Sequence, residues 1–289
     1  MKSYRELNEV DLKLKLLSGD SINVDNIAIK PYSLREIQRF GYSDYMSSLQ
    51  WLCITMDDFI SSVTNFEKRV YLEQMKDQLR TLDFYIKLGG EELLEGLMTS
   101  ISSLLRTSDV RLLKDQTIAI GLEEAGVLKF DDAGSALVDK DSLESVNAAQ
   151  IKLIHRENFD EFVEAIKVMN YLMKPKLVGK ADGGEIDPNP VDEETRKLME
   201  QMEKNRAKVA KAKRVTQQGS DDDVDIADII SAVSSKSNSL NKLNIWDLTL
   251  YQLYDEYARL ELIDNYDFSI RAMMAGAERI ELKHWSSKL

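Results

Sequence analysis

The chain has 289 residues, 43% hydrophobic and 30% charged, so it is long enough to bury one large core or two smaller ones. Its 50 acidic residues outnumber its 38 basic residues, and the net charge of −12 argues against a nucleic-acid-binding surface. Because the sequence contains one cysteine, no apolar run long enough to span a bilayer and no signal peptide, we expect a cytosolic protein.

The first forty residues predict a β-hairpin followed by a capped helix. Apolar residues alternate with polar ones, which is typical of strands, and Ser18-Gly19-Asp20 predicts a turn between the two strands. The first strand is expected to carry Leu12, Leu14 and Leu16, and the second Ile22, Val24, Ile27 and Ile29. Ser33 and Glu36 fit a capping box, which predicts a short helix ending near Gly41.

Helical periodicity dominates the middle of the chain. Apolar residues spaced by three and four predict helices over residues 45–60, 65–86, 91–105 and 158–173, the last of them capped by Asn158. Between the last two helices the period changes, and short apolar runs at 118–120 and 127–130 lie among glycines. These runs predict two or three short strands.

A charged stretch divides the sequence. Residues 176–190 contain several glycines and prolines and few large apolar residues, which indicates a linker. Residues 196–214 carry eight basic and two acidic residues, a balance of +6, and Asp221-Asp222-Asp223 follows. We interpret this stretch as a solvated tether, with nucleic-acid contact or pairing with another protein's charges as the alternatives.

The sequence therefore predicts an α+β fold that is predominantly helical, with a few short antiparallel strands. We expect an N-terminal α+β domain over residues 1–174 and a small all-helical C-terminal module over residues 224–289. A charged linker over residues 175–223, flexible or partly helical, is expected to join them.

The C-terminal module is predicted to contain a short helix near Val224–Val233 and a longer helix that begins at Asn244 or Asp247 and continues through Met274. The longer helix carries two apolar stripes, which indicates that it is covered on two sides. One interpretation is that both stripes belong to the intrachain core. The alternative is that one stripe binds the main domain, another copy or a different protein. Trp285 is predicted to anchor the tail. The candidate partner-binding residues are Trp246, Leu250, Leu253, Tyr254, Tyr257, Leu260 and Trp285.

The sequence contains no recognisable catalytic, metal or nucleotide motif. His155 and His284 have no Cys or His at metal-ligand spacing, and Cys53 lies on an apolar helical face typical of inert core. The glycine pairs lack the pattern of a phosphate loop, and adjacent carboxylates are more typical of caps and turns. We therefore expect no enzymatic activity, no cofactor and no metal.

Two parts of the chain resemble one group of proteins. Leu243–Leu260 (LNIWDLTLYQLYDEYARL) and Ile280–Leu289 (IELKHWSSKL) resemble the end of proteins encoded among the tail genes of phages and prophages of Gram-positive bacteria. Ile29–Tyr45 and His155–Leu172 are similar to the first part of the same proteins. Such proteins are often assigned as tail assembly chaperones, in which an N-terminal domain is made alone or joined by programmed frameshift to a C-terminal extension.

The resemblance implies a non-enzymatic protein in the cytoplasm of the infected bacterial host. Such a chaperone binds the long helical tape-measure protein, keeps it soluble and recruits tail-tube subunits, which requires apolar contacts to a helical partner. Self-association is a further expectation, whereas membrane and nucleic-acid partners are not expected. The alternatives are a structural tail, neck or baseplate component located in the virion, a regulatory or host-interaction protein, and an enzyme with an unfamiliar site.

Overall fold

The structure, a computed structural model, describes residues 2–63, 66–76, 79–130, 136–138, 151–173, 224–276 and 282–288. Within these ranges the fold is α+β and predominantly helical, with short antiparallel strands, as predicted. The predicted linker over residues 175–223 lies outside the described residues.

The described helices and strands are labelled here in chain order. The helices are α1 (Glu9–Ser18), α2 (Leu34–Phe40), α3 (Tyr42–Cys53), α4 (Met56–Ser62), α5 (Phe66–Met75), α6 (Thr81–Lys87), α7 (Gly90–Leu105), α8 (Phe159–Met169), α9 (Ile226–Lys236) and α10 (Leu250–Met274). The strands are β1 (Ile22–Val24), β2 (Ile27–Ile29), β3 (Val110–Leu112), β4 (Ile118–Ile120), β5 (Leu128–Phe130), β6 (Ala136–Val138) and β7 (Lys152–Ile154). Short 3-10 helices lie at Tyr4–Glu6 and Ile245–Asp247.

The strands form small antiparallel sheets. β1 pairs with β2, with Ile22 opposite Ile29, and β5 pairs with β6. β3, β4 and β7 form a three-stranded sheet in that order, and β4 is its central strand. Ile118 of β4 lies opposite Leu112 of β3 on one side and opposite Ile154 of β7 on the other.

The predicted first strand is wrong, because residues 12–16 lie in helix α1. The Asn8 side chain caps this helix by accepting a hydrogen bond from the Asp11 N–H at 2.7 Å. Gly19 ends it with a left-handed φ of 75°, a conformation that glycine adopts without steric cost. The hairpin instead joins β1 to β2, so its turn lies at residues 25–26 and not at residues 18–20.

Two of the predicted long helices are each interrupted. The helix predicted over residues 45–60 is divided into α3 and α4, because Thr55 adopts an extended conformation and caps α4 through the Asp58 N–H. The helix predicted over residues 65–86 is divided into α5 and α6, with Arg80 in an extended conformation immediately before α6. At the Thr55 break the apolar stripe continues, because side chains of α3 and α4 pack on the same core.

Other local predictions are confirmed, except the capping role of Asn158. Ser33 and Glu36 form the predicted capping box of α2, which ends at Gly41. The helix predicted at residues 91–105 is α7, and that predicted at residues 158–173 is α8, which ends earlier, at Met169. The predicted capping role of Asn158 is wrong, because its side chain makes no cap hydrogen bond to α8. It accepts instead from the His155 N–H at 2.8 Å.

Most buried apolar side chains belong to one hydrophobic core. Helices α3 and α7 pack closely at its centre, where a Cβ on Gly96 would lie 2.6 Å from the Trp51 ring. The same core contains Leu12 of α1 together with Val233 of α9 and Leu253 of α10. Residues from the predicted N-terminal domain and from the predicted C-terminal module therefore pack together, and the division into domains stays a prediction.

Candidate partner-binding surface

The start of α10 is fixed by a capping box and by α1. The Thr249 hydroxyl accepts from the Gln252 N–H at 3.2 Å, and the Gln252 side-chain oxygen accepts from the Thr249 N–H at 2.8 Å. The Gln252 amide then donates to the Leu17 carbonyl of α1 at 2.7 Å. The Gln252 side chain thus gives the Thr249 N–H a partner at the start of α10 and also attaches α10 to α1.

A second set of contacts attaches this region to α2. The Leu34 N–H donates to the Leu248 carbonyl at 2.7 Å, and Ser33 forms an antiparallel β-bridge with Thr249. The Leu34 N–H lies in the first turn of α2, where no intrahelical acceptor exists, so the Leu248 carbonyl satisfies it. An exposed ion pair between Arg35 and Asp247, 3.3 Å apart, adds little to this attachment.

The predicted start of the long helix at Asn244 or Asp247 is wrong, because Thr249 caps α10 and Trp246 lies in the 3-10 helix before it. Six of the seven predicted partner-binding residues nevertheless pack against the rest of the chain, five of them on α10. Leu250 and Leu253 are buried, with exposed fractions of 4% and 0%. The other four are half-buried and pack against the same core: Trp246, Tyr254, Tyr257 and Leu260. Leu250 and Leu253 can therefore reach a partner only where α10 separates from the body, whereas the other four side chains are partly accessible.

Aromatic packing covers the start of α10. The Tyr171 ring, just after α8, stacks on Tyr254 and meets Tyr251 edge-on, with centroid distances of 5.4 and 5.5 Å. Burial raises the pKa of Tyr251 and of Tyr254 to about 12, because the ionised phenolate would lose its hydration. Burial also raises the pKa of Asp255, with Arg259 opposing the shift. Ionisation of these groups is therefore disfavoured inside this contact.

Trp285, the seventh predicted residue, lies apart from the others on the C-terminal tail. Its side chain is 47% exposed. The tail is held by its backbone, because Arg259 of α10 donates to the carbonyls of Trp285 at 2.8 Å and Ser287 at 3.0 Å. An ion pair of 2.6 Å joins Lys288 to Glu9 of α1, and Lys288 is the main cause of the lowered pKa of Glu9.

An exposed apolar surface that was not predicted lies on α1. Val10, Leu14 and Leu17 are 65%, 59% and 46% exposed, and their i, i+4, i+7 spacing places them in one row, called here the α1 stripe. Leu12 and Leu16 lie on the opposite side of the helix and are buried. The signal was present in the sequence, because apolar residues at every second position fall on both sides of a helix.

A polar cleft of about 500 Å³ lies between α6, the β3–β4 turn and β7. The buried Asp83 carboxylate bridges two cations there, with Lys87 at 3.5 Å and Arg156 at 3.3 Å. The His155 Nδ1 accepts from the Glu157 N–H at 3.2 Å. The cleft can hold a polar group by hydrogen bonds.

The part of the chain that the structure describes contains neither a metal-ligand cluster nor a membrane-spanning helix. Within it, no three His, Cys, Asp or Glu side chains are grouped so that they could hold a metal ion. No helix among the same residues is both long and apolar enough to cross a bilayer.

A protein family matches the C-terminal part of the chain. The family described as the YomV second domain matches residues 216–289, the last quarter of the chain. No curated protein matches the chain, and no solved structure matches it. The matched region contains α9 and α10, and its likeness to the YomV second domain associates the chain with phage and prophage proteins.

Proposed function

We propose that this protein is a non-enzymatic phage tail assembly chaperone, which binds the tape-measure protein and recruits tail-tube subunits in the cytoplasm of the infected bacterial host. The likeness of residues 216–289 to the YomV second domain supports the association with phage. The observation that carries the binding role is the α1 stripe, because an apolar helical row open to solvent suits a helical partner.

The size of the α1 stripe limits the strength of one contact. Full burial of a Val or Leu side chain contributes about 1.5–3 kcal/mol. Since about half of each side chain is still exposed, contact with a partner adds roughly 1 kcal/mol per side chain. The sum of roughly 3 kcal/mol falls short of the ~4 kcal/mol that a Kd of 1 mM requires. Stable binding therefore needs several copies that also associate with one another along one long partner, so that their weak contacts act together.

We propose Trp246 and the five predicted residues of α10 as a second partner-binding surface. Because Leu253 is fully buried and Tyr254 is stacked on Tyr171, this surface opens fully only when the start of α10 leaves the body. Binding there would have to offset the loss of these intrachain contacts. The α1 stripe needs no such rearrangement, so we propose that it makes the first contact.

Co-purification from infected or lysogenic cells tests the proposal. Tagged wild-type protein should retain the tape-measure protein, whereas Leu14→Glu should lose it, because a carboxylate would be placed against an apolar partner. Phe268→Glu, which adds the same charge at a 73% exposed apolar position of α10, should retain it. Loss with both variants, or with neither, would remove the α1 stripe from the proposal.

Mass spectrometry of purified virions separates this function from the structural alternative. A chaperone should be depleted from mature particles. Abundant peptides of this chain in purified virions would favour a tail, neck or baseplate component instead.

A further inference from the structure

The two edges of the β3–β4–β7 sheet differ in whether their outward backbone groups have hydrogen-bond partners. At the β7 edge, asparagine side chains take the place of a neighbouring strand. Asn26 donates to the Ile151 carbonyl at 2.8 Å, and Asn158 donates to the Leu153 carbonyl at 2.9 Å. Asn158 also accepts from the His155 N–H at 2.8 Å. This edge is closed to a further strand, in the way that proteins protect exposed sheet edges.

The hydrogen-bond pattern shows which groups point outwards at the β3 edge. The Leu113 N–H donates to the Thr117 carbonyl at 2.8 Å, and the Gly121 N–H donates to the Asp109 carbonyl at 3.1 Å. In an antiparallel pair, residues that bond across the ladder alternate with residues that do not. Positions 109, 111 and 113 therefore bond to β4, and the N–H and C=O groups of positions 110 and 112 point away from it.

Within the part of the chain that the structure describes, the outward groups of β3 are open. Among the described residues, none forms a hydrogen bond with the outward backbone groups of Val110 or Leu112. Leu112 is 36% exposed, whereas Val110 is 8% exposed, so the accessible part of the edge is centred on position 112. An unpaired edge of this kind can accept an extended chain by β-strand addition.

The charged side chains along the β3 edge indicate which kind of extended segment would bind there. Arg111 and Lys114 are both exposed along this edge, in a protein whose net charge is −12. If two copies paired with position 112 opposite position 110, the two Arg111 side chains would lie directly opposite each other, which is destabilising. An extended segment with a carboxylate at that position would be stabilised by the same arginine.

We propose that β3 is a docking site for an extended segment of a partner protein, which adds a fourth strand and places an acidic side chain opposite Arg111. The site is separate from the α1 stripe and does not depend on it. Its backbone contacts would come from position 112 and its selectivity from Arg111.

The test uses the isotope-labelled full-length protein and two blocked six-residue peptides, one alternating valine with glutamate and one alternating valine with lysine. The glutamate peptide should shift the Leu112 amide resonance and slow its hydrogen exchange. It should bind about two- to fivefold more tightly than the lysine peptide, as expected for one opposite-charge cross-strand pair. Arg111→Glu should reverse this order of affinities.

Two variants at one position test the backbone contact. Leu112→Pro removes the outward N–H and should abolish the response to the peptide, whereas Leu112→Ala keeps the N–H and should retain it. If Leu112→Pro does not fold, Arg111→Glu decides the matter alone. The proposal is overturned if the Leu112 amide of the free protein is as protected as that of Arg111, if neither peptide binds at millimolar concentration, or if Arg111→Glu leaves the preference unchanged.

Discussion

The Tyr171 ring stacks on the Tyr254 ring, with 5.4 Å between the centroids and 17° between the planes. Tyr171 follows α8 with a left-handed φ of 58°, at the position after a helix where glycine is common. The Tyr171 N–H donates to the Val168 carbonyl at 3.1 Å, and the Leu172 N–H donates to the Lys167 carbonyl at 2.8 Å. With this left-handed backbone conformation, Tyr171 places its ring against α10. The end of α8 and the start of α10 are thereby in contact.

This contact predicts how replacement of Tyr254 affects stability. Tyr254→Ala should lower the free energy of unfolding by about 1–3 kcal/mol, because a half-buried aromatic side chain and its ring contact are lost. Phe268→Ala, at a 73% exposed position of the same helix, should change it by less than about 0.5 kcal/mol. Urea unfolding measures both values. Unchanged unfolding of the N-terminal region in Tyr254→Ala would mean that α10 is a separable module.

A second prediction concerns the two sides of α1. Leu16 is 4% exposed and Leu14 is 59% exposed, although both are leucines of one helix. Leu16→Ala should cost about 2–5 kcal/mol by leaving a cavity, whereas Leu14→Ala should cost no more than about 0.5 kcal/mol. Thermal unfolding of the two variants tests this difference. Similar losses would mean that the outward side of α1 is covered.

The sequence predicts correctly those features that depend on residues close together in the chain. The Ser33–Glu36 capping box was found because its partners lie within one helical turn. Helix α1 was taken for a strand because its apolar residues fall at alternating positions, which suit a strand as well as a helix covered on both sides. The break at Thr55 was missed because the apolar stripe continues across it.

The candidate site was predicted only in part, because exposure depends on contacts between distant residues. Trp246 and the five α10 residues were predicted as one apolar face, but the sequence does not show that α1 and α8 approach this helix. The open β3 edge is equally a property of the sheet order, in which distant β7 takes the other side of β4. Strand order is set by the whole chain and not by local pattern.

A third prediction links Glu161 to pH. Its carboxylate accepts from the Arg5 N–H at 3.0 Å and pairs with the Arg5 guanidinium, yet burial outweighs Arg5 and raises its pKa above the ordinary 4.5. The folded state therefore holds this proton more tightly than the unfolded state. The contribution of Glu161 to stability falls as pH rises from the ordinary pKa through the raised one.

Glu161→Gln removes this titration. The free energy of unfolding of the variant, relative to that of wild type, should therefore be higher at pH 7 than at pH 4. Urea unfolding at both pH values measures this difference. Glu124→Gln, at an exposed position, is the control for the loss of one negative charge. A larger relative loss for Glu161→Gln at pH 7 would mean that the pair with Arg5 outweighs burial.

A last prediction compares the contributions to stability of the two asparagines that close the β7 edge. Asn158 is 2% exposed and bonds to three groups, the His155 N–H, the Leu153 carbonyl and the Asp25 carboxylate. Asn158→Ala should destabilise the protein by roughly 1–3 kcal/mol, because partly buried backbone groups lose their partners. Asn26→Ala should cost less, since Asn26 is exposed and water can replace its bond to Ile151. Hydrogen exchange of the His155 amide should accelerate in Asn158→Ala alone, and equal acceleration in both variants would mean that β7 opens as one unit.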